Sequence, residues 1–175
     1  MVHSTERLIL RPIGDGDFEH VFIGLSDPEV IRYYGVRYHS RKTALEQMQW
    51  FADLVANRTG IWWALCTAEH KTFIGAAGLN NLDRTNGKAE IGFWLLPNYW
   101  GKGYASEAIG AIVAHAFEAM SLHRLEAHVE TENVRSRRTL EKTGFQYEAT
   151  LRDCEMKDGK FISLDILSLL RVDSD

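Results

Sequence analysis

Paired cysteines are missing from this chain. Its 175 residues hold 2 cysteines, Cys66 and Cys154, far apart and each in an apolar, strand-like setting. That excludes a disulfide framework and a CxxC redox or zinc pair, and it predicts two buried free thiols. Long apolar runs are missing too: charge interrupts every one within a dozen residues, against the ~20 needed to cross a bilayer. The amino terminus "MVHSTERLILRP" has no apolar signal-peptide core, so the expected address is the cytoplasm. Excess positive charge is absent, with a formal net charge of −4 and a pI near 6.0, which removes any general field for a nucleic-acid backbone. The 7 histidines form no HExxH or other metal spacing, so no metal is expected. Neither GxxxxGK[ST] nor a GxGxxG opening a βαβ unit occurs, which sets aside nucleoside triphosphates and dinucleotides as first choices.

What remains is ordinary globular material, 45% hydrophobic and 25% charged, without internal repeats or low-complexity linkers. Its length suits a single domain over 1–175 with a real core. "TERLILRPI" alternates Leu8 and Leu10 against Arg7, Ile9 and Arg11, as a strand with one well-buried face does. Asp15 or Asp17, and then Asp27 with Pro28 behind it, open two helices. Ala44, Leu45, Met48, Phe51, Ala52 and Val55 recur at helical spacing, with Ser40 or Thr43 as cap and Asn57 to Gly60 as the stop. "IWWALCTA", "FIGAAGLNNLD" and "AEIGFWLL" then read as three antiparallel strands joined by polar turns. One of Trp62 and Trp63 is expected to face inward and the other outward. An alanine-rich helix follows over "GYASEAIGAIVAHAFEAM", and then the strand "LHRLEAHVE". A helix capped by Asn133 runs to about Thr143, with Gly144 as its left-handed end. A final hairpin turns at Asp158-Gly159. The class is α+β around one sheet.

The most informative stretch is "PNYWGKGYASEA", Pro97 to Ala108. A strand that delivers a glycine loop directly into a helix makes an anion site. The first N–H groups of the helix have no internal partners, and the macrodipole favours negative charge there. Gly101 and Gly103 leave the backbone bare for phosphate oxygens.

"TERLILRP", "AEIGFWLLPNYWGKGYASEA" and "ENVRSRRTLEKTGF" followed by the Asp of "SLDILSLL" occur in this order and spacing. Together they resemble the GCN5-related N-acetyltransferase (GNAT) superfamily, and within it the RimJ/RimL branch that acetylates protein amino termini. The resemblance covers nearly the whole chain. It implies a mixed, mostly antiparallel central sheet of about seven strands flanked by helices, with a splay between the strands at 89–96 and 122–130. It also implies acetyl-CoA as co-substrate. The pyrophosphate would sit on Asn98, Trp100, Gly101, Lys102, Gly103, Tyr104 and Ala105, and the pantetheine arm would pair as a pseudo-strand with Phe93, Trp94, Leu95 and Leu96. Asn98 stands where the superfamily has glutamine or arginine, and Trp100 where arginine is common. Asn133 would bond the pantetheine amide as well as cap its helix, and Arg137 or Arg138 would reach the CoA phosphates.

Attack of an amine on a thioester needs a free amine, a stabilised oxyanion and a proton for the departing sulfur. Glu90, in step with Gly92 and Trp94 at a position where relatives carry glutamate, is the first candidate base, with His128 behind it. A backbone N–H near Trp94 or Leu95 would serve the oxyanion. The tyrosine that many relatives use to protonate sulfur is here Leu140; the resemblance to RimL-like enzymes, some of which have a serine near the sulfur at this place on the helix, makes Ser136 the candidate to donate a hydrogen bond or relay a proton. Tyr33 and Tyr34, between the early helices, would wall the acceptor site. The implied reaction is N-acetylation of a primary amine by direct attack in a ternary complex, with a protein N-terminal amine as acceptor. A small amine such as a polyamine, an aminoglycoside or an amino acid is the alternative within enzymes. A CoA-binding sensor without turnover is the alternative outside them. No nucleic-acid or membrane partner is expected, and the molecule would be a monomer or homodimer.

Overall fold

A computed structural model describes residues 3–35, 38 and 40–173. One sheet of 8 strands runs through the molecule in the order β1-β2-β3-β4-β5-β6-β8-β7. The strands are β1 (His3–Ser4), β2 (Leu8–Pro12), β3 (Ile61–Thr67), β4 (Phe73–Asp83), β5 (Lys88–Leu95), β6 (Arg124–Glu130), β7 (Gln146–Lys157) and β8 (Lys160–Leu170). The helices are α1 (Phe18–Ser26), α2 (Pro28–Ile31), α3 (Arg41–Ala56), α4 (Tyr104–Ala114), continued by a π-helical turn His115–Ala119, and α5 (Val134–Lys142). Every strand contact is antiparallel except β5 with β6, which α4 joins as the crossover a parallel pair requires. The expected architecture holds, and the short β1 beside β2 adds the eighth strand.

Side-chain caps fix the helix starts where a short oxygen was available. Ser40 Oγ accepts the Thr43 N–H at 3.2 Å, Asp27 accepts the N–H groups of Glu29 and Val30, and Asn133 Oδ1 accepts the Ser136 N–H at 3.1 Å. Asp17 stands at the start of α1 but does not cap it. Its carboxylate takes both arms of the Arg11 guanidinium at 2.6 and 2.8 Å and the Gly14 N–H at 3.0 Å. A nearly buried charge recruits the strongest partner within reach.

The sheet is covered on both faces. On one, α4, its π turn and α5 pack Ala108, Ile109, Ile112, Phe117 and Leu140 onto Leu8, Leu10, Trp63, Leu65, Ile91 and Leu125. On the other, α1, α2 and α3 pack Val21, Leu25, Val30, Phe51 and Leu54 onto Trp62, Ala64, Cys66 and Trp94. Strand β3 is therefore buried on both sides. Trp62 is 4% exposed and Trp63 0%, which corrects the expectation that only one would be inside. Alternation sends them to opposite faces, and each face has its own layer. The two thiols also differ from expectation: Cys66 is buried and Cys154 exposed. Strand β7 is the edge, and its register slips between Leu151 and Glu155, so residues around Cys154 bulge away from any covering layer.

Candidate acyl-transfer site

Strands β5 and β6 pair over three positions, Lys88 with Arg124, Ala89 with Leu125 and Glu90 with Glu126. Beyond Glu90, β5 is paired with β4 alone and β6 with β8 alone among the described residues. The sheet thus opens between residues 91–95 and 127–130, inside the predicted splay, and one edge of Ile91–Leu95 is left to another extended chain. The faces of β5 divide the duties: Ile91 and Leu95 join the core under α4, while Trp94 joins the opposite core. Glu90 is on the Trp94 side with Gly92, and a side chain on Gly92 would meet the Trp62 ring at 2.8 Å.

Half-exposed Glu90 accepts a hydrogen bond from Asn81 Nδ2 at 2.8 Å. No described ion pair involves it. Lys88 and Arg124 instead serve Glu126, at 3.7 and 2.8 Å. The Arg124 hydrogen bond outweighs partial burial and holds the Glu126 carboxyl below the usual range, with Lys88 assisting. His128 Nε2 lies 3.8 Å from the same carboxylate. An ion-paired Glu126 therefore lies beside Glu90, whose own oxygens are bound, among the described contacts, only by a neutral amide.

The glycine loop begins where β5 ends. Pro97–Tyr99 forms a single 3-10 turn, and the Trp100 indole Nε1 donates to the Leu95 carbonyl at 2.7 Å, which ties loop to strand. Gly101 and Gly103 have φ of +72° and +82°, conformations that suit glycine, and α4 starts at Tyr104 without a side-chain cap. Among the described hydrogen bonds, none uses the N–H of any residue from Gly101 to Ser106. These amides form a row of unused donors at the positive end of α4. Three cations surround them on aromatic platforms. Arg7 lies 4.8 Å from the Tyr104 ring, Lys102 5.7 Å from Tyr99 and Arg135 4.6 Å from Trp100. Asn98 is exposed beside them, and Ala105 is half-buried in the first turn of α4.

On α5, the Asn133 cap uses Oδ1 and leaves its amide nitrogen free of described hydrogen bonds. The Ser136 hydroxyl likewise takes part in none of them. Leu140 is fully buried, so the place of the family tyrosine belongs to the core. Arg137 is committed elsewhere. It pairs with Asp165 at 2.8 Å and Glu141 at 2.9 Å and lies over Tyr147. Exposed Arg138 has no described partner, and Arg135, not singled out from the sequence, is the α5 cation that meets the loop.

Tyr34 packs against the core cluster that also holds Trp94, and both Tyr33 and Tyr34 lie at the far end of β6. There Lys157, from the tip of the β7–β8 hairpin, pairs with Glu130, donates to the Arg32 carbonyl at 2.5 Å and lies 5.9 Å from the Tyr33 ring. Tyr34 lines an open cleft of about 300 Å³ with Glu130, Glu155, Met156, Lys157 and Ile162. Burial, with Tyr38 nearby, pushes its hydroxyl pKa up. Glu130 follows Glu126 by four residues on β6, a rise of roughly 13 Å, so cleft and splay lie along one strand.

A splayed parallel strand pair beside an amide-lined loop at a helix start defines the GNAT class of acyl-CoA enzymes. The family model described as "Acetyltransferase (GNAT) domain" matches residues 7–146, and the chain belongs to that family. It is 38% identical over 169 residues to "Uncharacterized N-acetyltransferase YoaA" of Bacillus subtilis, covering 96% of each chain. Among solved structures, it superposes on RimL, a ribosomal alpha-N-protein acetyltransferase in complex with coenzyme A, with a TM-score of 0.90 at 16% identity, covering 100% of both chains. It also matches spermidine N-acetyltransferase from Vibrio cholerae, in complex with CoA and spermine, with a TM-score of 0.86 at 22% identity over 97% of this chain and 99% of that one. The protein is an N-acetyltransferase of GNAT type.

Proposed function

We propose that the chain transfers the acetyl group of acetyl-CoA to a protein N-terminal amine by direct attack in a ternary complex. The observation that carries this reading is the end of β5–β6 pairing at Glu90, with the amide-lined loop at the end of the freed strand and an open cleft further along β6. The amides of Gly101 to Ser106 and the cations of Lys102 and Arg135 fit a pyrophosphate. The free edge of β5 at Phe93 and the Leu95 N–H, with Asn133, fits the pantetheine amides; Leu96 gives its N–H to the Ile74 carbonyl and the Leu95 carbonyl accepts from Trp100. Exposed Arg138, without a described partner, is the residue we assign to an outer phosphate.

Acetyl-CoA supplies the activated acyl thioester. The amine nitrogen bonds to the carbonyl carbon, a backbone N–H near Trp94 or Leu95 steadies the oxygen, and the carbon–sulfur bond breaks. Glu90 takes the amine proton, directly or through water, and the Ser136 hydroxyl donates a hydrogen bond to the departing thiolate or relays to it the proton that the amine released. Tyr33 and Tyr34 wall the acceptor cleft, whose open side admits a peptide chain. Glu155 at the cleft, beside a Glu130 already paired with Lys157, supports a second reading, a small cationic amine. The place of action we propose is the cytoplasm, as a monomer or homodimer; among the described residues no helix is long and apolar enough to cross a membrane.

Thiol release from acetyl-CoA, measured over a panel of peptides with free or blocked amino termini beside polyamines and amino acids, tests the reading. Turnover with free-amine peptides alone supports it. Turnover confined to small amines replaces the acceptor, and CoA binding without acceptor-stimulated release would overturn catalysis on amines altogether.

A further inference from the structure

We propose that Arg7 and Glu107 form a positioning pair that sets the direction of the loop amides and thereby selects a pyrophosphate-bearing thioester; this rests on the acetyl-CoA reading above. The two residues are 100 positions apart. Glu107, in the first turn of α4, takes the Arg7 Nε at 2.7 Å and Nη2 at 2.6 Å on one oxygen, and the Arg7 backbone N–H at 2.8 Å and Thr5 Oγ1 at 2.5 Å on the other. Four donors on one carboxylate leave the guanidinium little freedom. Partial burial opposes ionisation of Glu107, yet the Thr5 and Arg7 hydrogen bonds outweigh it and hold the carboxyl below its usual range.

The remaining arm of Arg7 explains why this rigidity matters. Nη1 donates to the Lys102 carbonyl at 2.9 Å. In a trans peptide the C=O and the following N–H point in opposite directions. Holding the Lys102 oxygen toward Arg7 therefore turns the Gly103 N–H away from it, to the open side of the loop. Gly103 confirms the close approach, since a side chain there would meet Arg7 Nη2 at 3.3 Å, in addition to the strain of its positive φ. Arg7 thus acts on the ligand through the backbone, with its own charge largely spent on Glu107.

A residue that only stabilised the fold would affect every thioester alike, whereas a loop-positioning pair affects only those that carry the pyrophosphate. The experiment compares acetyl-CoA with acetyl-pantetheine, which lacks it, on Arg7→Gln and Glu107→Gln, with calorimetric binding of CoA and of pantetheine in parallel. The expected result is a tenfold or greater rise in KM for acetyl-CoA and in Kd for CoA, with kcat/KM for acetyl-pantetheine within twofold of the original. The conservative Arg7→Lys variant, which keeps the charge but cannot span both partners, should lose CoA affinity comparably, and it substitutes for Arg7→Gln if that protein does not fold. Unchanged CoA affinity in a folded variant, or equal losses on the two thioesters, overturns the inference while leaving the acetyl-CoA reading standing. Failure of the original protein to bind CoA at all overturns both.

Discussion

Glu90 and Glu126 face each other across the last paired position of β5 and β6, and the two carboxylates have different surroundings. Glu126 is held by Arg124, Lys88 and the nearby His128, while Glu90 is hydrogen-bonded to Asn81. The strands part just past this pair. A carboxylate at the mouth of the opening, without an ion pair among the described residues, can accept a proton from an incoming amine.

Replacing Glu90 by Gln should lower kcat by about 10²–10⁴-fold, the range for loss of a general base. CoA affinity should stay within about twofold, because the side chain lies away from the phosphate loop. Rate–pH profiles and CoA titrations on the same preparation check both parts; an unaltered profile and rate would remove Glu90 from the chemistry.

The glycine loop should be sensitive to one added carbon. Gly103→Ala places a Cβ at φ +82° and within 3.3 Å of Arg7, a backbone cost of about 1–2 kcal/mol. CoA binding should weaken by about tenfold. Calorimetric titration with CoA measures the loss, and full affinity in the variant would mean that the loop does not hold the pyrophosphate.

Asn133→Ala removes the α5 cap and should destabilise the protein by about 1 kcal/mol. If its free amide nitrogen also holds pantetheine, the affinity for pantetheine and CoA should fall together. Urea unfolding with and without CoA separates the effects, since a cap alone would leave affinity intact.

Leu140→Tyr tests whether the family hydroxyl can be reinstated. Leu140 is 0% exposed, and inserting a larger, polar ring into a filled core costs about 1–3 kcal/mol. Stability should drop and kcat should not rise. A kcat gain would show that α5 can rotate this position toward the sulfur.

Glu148 ties the far strand to β6. Its hydrogen bonds from Arg124 and Ser168 lower its pKa from 4.5 to about 2. Because the folded-state value is the depressed one, the stabilisation is complete above the unfolded pKa and fades as the pH falls from about 4.5 toward 2. Glu148→Gln should therefore unfold more readily than the original protein near neutrality, with the gap closing through that acid window. Urea midpoints at successive pH values measure the gap; a constant one would mean that the carboxylate is not the source. The group is 42% exposed, so the effect is small and weakened by salt.

Local signals carried much of this protein. Ser40, Asp27 and Asn133 cap the helices they precede, because a short side-chain oxygen finds unpaired N–H groups within two or three residues. Leu8 and Leu10 are buried where alternation places them, and Asp158-Gly159 turns the last hairpin, because these depend on neighbours in sequence. The glycine loop was legible for the same reason: positive φ and a helix start lie within a few residues.

Only the tertiary structure decided the rest. Trp62 and Trp63 are both buried because separate helical layers cover the two faces of β3, and pattern alone does not count layers. Cys154 is exposed because β7 is an edge with a bulge. Arg137 is drawn to Asp165 and Arg135 to Trp100, since partner choice along α5 depends on which strands lie beneath each turn. The contact of Arg7 with Glu107 and the Lys102 carbonyl joins residues 100 and 95 positions apart, so no local window contains it. The sequence by itself determined the elements and the glycine loop at the start of α4 through short-range hydrogen bonding and periodicity. Long-range packing decided where the sheet parts, which carboxylate stands free at the opening and which arginine braces the loop.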